Sequence, residues 1–201
     1  MAQPYVTGPC HIYVGISSNP PRNPFNPAGS PVYLGTCRSA PRIQWDPAFE
    51  PVINDISGPR KPFDMIYLGK DAMVAGDLTV WNWPVWEQIK SLPNTANPSG
   101  AQEVGDIGSL MVLEGYGYPI WVHYPYYSKA AMRDAGMVAG HRFVCGWLMG
   151  PPVEDPGNKA NSVHAQFFAI NTYDKLTGKF LCSDNNMTGI PAIPPASPLG
   201  F

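Results

Sequence analysis

Short apolar runs and patches of apolar–polar alternation, separated by turn-forming residues, organise most of the chain, which is the pattern of β-strands rather than helices. His11 to Ile16 reads HIYVGI and places a strand within residues 5–16. Residues 17–31, SSNPPRNPFNPAGSP, are turn chemistry almost throughout and link it, as an enlarged hairpin loop, to a second strand over 32–37, VYLGTC. Residues 65–81 carry strand character again; Gly69 inside them predicts a bulge in one long strand. Further strands are expected over 107–113 and 118–124, joined by a hairpin at 114–117, then over 141–149. A last hairpin joins 162–173 to 179–183. Residues 151–160 read as a polar turn and 128–135 as weakly helical.

One segment has helical spacing. Val85, Trp86, Ile89 and Leu92 fall on one face, Asn82 can cap, Pro84 suits the first turn and Pro93 ends the run. About eight strands, one helix and connections that all read as antiparallel predict a mainly β fold. We expect an antiparallel β-sandwich or barrel in a single domain over 1–201, with the helix capping an edge or an open end.

Residues 38–64 stand apart. Prolines at 41, 47, 51, 59 and 62 remove backbone donors and bias their predecessors away from helix. The same stretch carries Ile43, Trp45, Phe49, Val52, Ile53 and Phe63, an apolar content that argues against disorder. It reads as a long, stiff, extended loop thrown out from the β-scaffold, with those six side chains as inter-subunit contacts on another copy. The proline-rich tail, residues 188–201, has few ways to satisfy itself internally and is expected to lie along a neighbour or stay free.

Composition narrows the function classes. The 201 residues include 20 glycines and 24 prolines, but aromatics are spread among them, as in a loop-rich folded protein. The net charge of −2 is not the basic surface of a nucleic-acid binder. No apolar run is long enough to span a bilayer, so no membrane partner is expected. The first ten residues, MAQPYVTGPC, have neither the basic start nor the apolar stretch of a secretory signal, which predicts folding in a cytoplasm. Cys10, Cys37, Cys145 and Cys182 are widely spaced with no CxxC pair, so zinc is not expected. Buried free thiols are the default reading in that compartment; disulfides within or between subunits, formed after release into an oxidising medium, are the alternative.

Chemistry is not prominent. His11, His123, His141 and His164 lie in expected strands with no i, i+4 pairing. Asp55, Asp64, Asp71 and Asp77 lack the spacing of a calcium loop. Ser128 and Ser162 have no identifiable base. Glu114 to Tyr118 contains GYG, but in an expected hairpin rather than a strand–helix turn. The residues point to no catalytic group, metal or cofactor.

Three stretches carry a resemblance: YLGTC at 33–37, PVINDISGPRKPFD at 51–64 and GKDAMVAGDLTVWN at 69–82. Together they resemble the tail tube (major tail tube) proteins of tailed bacteriophages over about a third of the chain. The resemblance implies a β-sandwich-like subunit that self-assembles into hexameric rings, in which neighbouring sheets join and a long loop reaches the next ring. It implies a virion protein assembled in the host cytoplasm, with DNA passing the lumen unbound and with other tail proteins as partners, a sheath among them if the tail is contractile. The loop over 17–31 and the proline-rich tail exceed what a minimal tube subunit needs. A capsid decoration (cement) protein, a tail terminator and a monomeric β-sandwich binding module therefore stay open as alternatives.

Overall fold

The computed structural model describes residues 9–15, 30–53, 62–90, 117–125, 139–149, 153–155, 162–174 and 179–190. The elements, in chain order, are β1 (Cys10–Val14), β2 (Val32–Cys37), β3 (Arg42–Ile53), β4 (Pro62–Trp81), α1 (Trp83–Lys90), β5 (Tyr118–His123), β6 (Gly140–Leu148), β7 (Val153–Asp155), β8 (Ser162–Ala169), β9 (Thr172–Asp174), β10 (Lys179–Leu181) and β11 (Ser183–Asp184). Strands run side by side in the order β6-β5-β1-β2-β4-β8, and a further β6–β8 pairing closes them into a six-stranded barrel. Every pairing around the ring is antiparallel. Closure removes the exposed strand edges that an open sheet of this size would present.

Alternation decides what fills the barrel. In β8, Val163, Ala165, Phe167 and Ala169 are buried and the residues between them are not. They meet Ile12, Val14, Leu34, Val74 and Phe143 in one core. The barrel closes tightly at Gly146, where a Cβ would meet the Phe168 carbonyl oxygen at 2.7 Å and Ile120 at 2.8 Å.

Helix α1 closes one end. Val85, Trp86 and Ile89 are its buried residues and belong to the barrel core. The helix touches β2 and β6, which lie three strands apart around the ring, so it spans the mouth. The Trp86 amide donates to the Asn82 carbonyl oxygen at 2.9 Å, starting the helix where expected.

β1 and β5 are buried on both faces. The inner face is core; outside, Tyr13 and Trp121 pack with Met187 and Ile190, and Tyr33 flanks them. The covering segment is pinned by the Trp121 indole N–H, which donates to the Asn186 carbonyl oxygen at 3.1 Å. An Arg142–Asp184 pair holds it too, the Nε donating to Oδ1 at 2.8 Å and a second guanidinium nitrogen to Oδ2.

The structure corrects three sequence expectations. Residues 42–53 and 62–64 are not a loop: β3 pairs with β4 along its whole length, so the limb is a hairpin. Pro47 and Pro51 are compatible with this because β3 is an edge strand, paired only with β4 among the described residues, where a missing donor can face the open side. The polar stretch 151–160 contains β7, which pairs with β8. Residues 162–173 do not form one hairpin limb: β8 joins the barrel, while β9 pairs with β10 in a separate two-stranded sheet. Leu92, the strand expected at 107–113, residues 114–116 of the expected hairpin, the segment 128–135 and residues 191–201 of the tail lie outside the described residues.

Candidate assembly surface

β8 covers β4 from Ala72 to Leu78, and β2 covers it from Leu78 to Trp81. From Asp71 back to Pro62, β4 has only β3 beside it among the described residues. That free part of the hairpin is about 30 Å long at the rise of a strand. α1 follows the other end of β4, so helix and arm occupy opposite ends of the barrel.

The pairing register sorts the arm's side chains into two faces, because directly opposite residues share a face. One face carries Ile43 opposite Val74, Trp45 opposite Ala72, Pro47 opposite Lys70, Phe49 opposite Tyr67 and Pro51 opposite Met65. Val74 and Ala72 are core residues, so this apolar face continues the barrel's inner surface out past its mouth. The other face is mixed: its charged residues are Arg42, Asp46, Asp71, Glu50 and Asp64, and Met73, Ile66 and Val52 lie among them.

A bulge makes the arm's apolar face complete. Ala48 pairs with Gly69 but Phe49 pairs with Tyr67, leaving Leu68 as the extra residue. Gly69 takes φ 121° there, and a Cβ would run into the Asn171 side chain. Without the bulge, Phe49 would face Leu68. With it, the Phe49 and Tyr67 rings meet at 5.4 Å between centroids, tilted by 50° to each other.

The root of the arm is anchored. Trp45 lies 5.6 Å from the Phe143 ring, and the Lys70 ammonium sits 4.2 Å from the centroid of the Trp45 ring. Further out the apolar face is bare: Phe49 is 52 % exposed, Ile53 59 %, Met65 49 % and Tyr67 55 %. Of the six contact residues expected from the sequence, Trp45, Phe49 and Ile53 are exposed as a contact surface requires. Ile43 packs on the subunit's own core, Val52 is half-buried and pairs with Asp64 on the polar face, and the Phe63 side chain lies outside the described residues. Sequence reasoning missed Met65, Ile66, Tyr67 and Leu68, reading them as scaffold strand. Their signal was an unbroken apolar quartet without the alternation of a half-buried strand.

Compared with known families and curated proteins, the chain matches no family model and no curated sequence.

The remaining titratable groups are placed for structure. All four cysteines are buried. Cys10 and Cys37 oppose each other across β1 and β2. Burial pushes the Cys10 thiol up to about 11; burial, Cys10 and Asp77 push Cys37 to about 12, which keeps both as unreactive thiols. His11 and His123 are buried cross-strand partners whose rings lie 5.9 Å apart. His11 Nδ1 is hydrogen-bonded to Thr36 Oγ1 at 2.7 Å, while His11 Nε2 and His123 Nδ1 have no partner among the described residues. Burial, then the neighbouring His11, holds His123 down at about 4, and burial lowers His11 as well. Both imidazoles are neutral at pH 7. His164 is exposed and pairs with Asp77 at 2.7 Å, beside a groove of about 400 Å³ that Ser39, Arg42 and Gln166 also line. The described residues hold no cluster of three metal-ligating side chains.

Proposed function

We propose that the protein is a structural virion subunit that self-assembles into stacked rings, hexameric as in the tail tube proteins it resembles, and so forms a phage tail tube through which DNA passes. The observation that carries this reading is the arm, a hairpin reaching about 30 Å beyond its barrel with one apolar face bare along its outer part. Exposed apolar patches of this kind mark interaction sites, because leaving them in water forfeits the stabilisation that burial would supply. A closed barrel plugged by a helix supplies a rigid body on which such an arm can work. The charged residues of the opposite face, Asp46, Glu50, Asp64 and Asp71 against Arg42, are mainly acidic, which suits a surface that DNA passes without being held. The arm contacts adjacent subunits within the ring and in the next ring, and further tail proteins, a sheath in a contractile tail, meet the outside of the tube.

Negative-stain microscopy of the purified protein tests this. Rings or tubes are expected. Compact monomers at concentrations well above a micromolar would overturn it, and trimers would favour a capsid decoration protein.

A further inference from the structure

Three buried polar atoms on the outer face of β1 and β5 have no hydrogen-bond partner among the described residues: His11 Nε2, His123 Nδ1 and the Tyr13 hydroxyl oxygen. They belong to one group. His11 and His123 oppose each other across β1 and β5, and Tyr13 follows two residues on, on the same face of β1. The ring centroids of His11 and His123 lie 5.9 Å apart, and those of His123 and Tyr13 6.3 Å apart. The three side chains belong to residues that are 6 %, 2 % and 2 % exposed. Buried polar atoms are nearly always paired, so three unpaired ones in a single group call for an occupant that satisfies them.

The chemistry of the atoms says which occupant. His11 Nδ1 is hydrogen-bonded to Thr36 Oγ1 at 2.7 Å, and Thr36 lies on β2, across β1 from His123. The two nitrogens of an imidazole point in nearly opposite directions, so Nε2 is turned away from β2. A metal-binding histidine is held in this way, its second nitrogen donating the hydrogen bond that fixes the tautomer. Both imidazoles are kept neutral by burial and can offer lone pairs. The spacing agrees with an ion. Imidazole nitrogens at about 2.0–2.1 Å from a shared tetrahedral ion place their ring centroids about 5–6 Å apart, and a phenol oxygen on the same ion places its ring about 6 Å from an imidazole. A water bridging the same rings through hydrogen bonds of about 2.8–3.0 Å would hold them about 7 Å apart. No third histidine, cysteine or carboxylate joins the pair among the described residues, so the phenol oxygen is the third donor and a fourth position is left for water. Imidazole donors suit zinc, copper or nickel rather than magnesium or calcium.

We propose that His11 Nε2, His123 Nδ1 and the Tyr13 oxygen bind one divalent transition-metal ion of the zinc or copper type, which staples β1 to β5. The segment over this face takes part: Tyr13 packs on Met187 and Ile190, and His123 opposes Gly140, where a Cβ would meet Met187. The site is separate from the assembly surface, and its failure would leave that reading untouched.

Refolding the untagged full-length chain with Zn²⁺ or Co²⁺ at neutral pH tests this. One ion should bind per chain, Zn²⁺ should raise the melting temperature by several degrees where Mg²⁺ does not, and Co²⁺ should show the intense visible bands of a four-coordinate site. His11→Gln and His123→Gln should each abolish the bands and the thermal shift, and Tyr13→Phe should change the bands. Thr36→Val, which touches only the second nitrogen of His11, should keep the bands but weaken binding roughly tenfold or more. Circular dichroism establishes that each variant is folded; where a histidine variant is not, the near-isosteric Tyr13→Phe and Thr36→Val carry the test. A chain that takes up neither Zn²⁺ nor Co²⁺ overturns the inference. Binding that is unchanged in the folded histidine variants, or in both Tyr13→Phe and Thr36→Val, overturns it too, because the ion then sits elsewhere.

Discussion

Replacing Phe49 and Tyr67 together by serine should separate assembly from folding. The two rings face each other across the arm, each about half exposed, so docking can remove about half of each ring's surface from water. An aromatic side chain buries roughly 150–250 Å² in full, which leaves about 100 Å² apiece. At about 25 cal/mol per Å² that is about 2.5 kcal/mol per residue, or about 5 kcal/mol for each docked arm. Such a loss weakens association more than a thousandfold. Inside the subunit the same pair is one exposed cross-strand contact, contributing about 0.2–1 kcal/mol. The melting temperature of the unassembled subunit should therefore move by only a few degrees while rings disappear. Sedimentation velocity for assembly and calorimetry for the subunit measure the two effects separately. If the double variant assembles at the same concentration as the parent, the apolar face is not the contact. If it unfolds, the arm belongs to the subunit's own core.

Three further outcomes follow from the geometry. Trp86→Ala should cost about 3–5 kcal/mol of subunit stability, since the ring is fully enclosed among barrel residues and its loss leaves a cavity; an unchanged melting temperature would show that α1 does not plug the barrel. Gly69→Ala should destabilise the hairpin by about 1–3 kcal/mol, because φ 121° and the Asn171 side chain both exclude a Cβ, and hydrogen exchange should rise in β3 between residues 49 and 53 before it rises in the barrel. Acid should destabilise the fold through His123, whose folded form resists a proton that the unfolded chain accepts near pH 6.5. Stability from this source is complete above about pH 6.5, falls as the pH drops toward about 4 and levels off below it; a His123→Asn variant should flatten that slope in urea titrations, and an unchanged slope would refute the assignment.

The local patterns in the chain determined its β character, the helix α1 and the buried face of that helix, because strand and helix periods are properties of neighbouring residues. Val85, Trp86 and Ile89 were legible from spacing alone, and the glycine irregularity at 69 from a glycine inside a strand run. The apolar load of the arm was legible too, since Trp45, Phe49 and Ile53 crowd a stretch rich in proline. Tertiary structure decided the rest. Residues 42–53 became a strand because β4 supplied a partner and left an open edge where proline's missing donor does no harm, which no local rule for proline predicts. The barrel rather than a sandwich followed from the β6–β8 pairing, a contact between segments distant in sequence. The two faces of the arm came from register: a single extra residue at Leu68 placed Tyr67 beside Phe49, and a periodicity read along one strand cannot report which residues of the other strand lie opposite. His11 and His123 looked like unrelated strand histidines until β1 and β5 paired them and covered both, because burial is set by what packs on a strand and not by the strand itself.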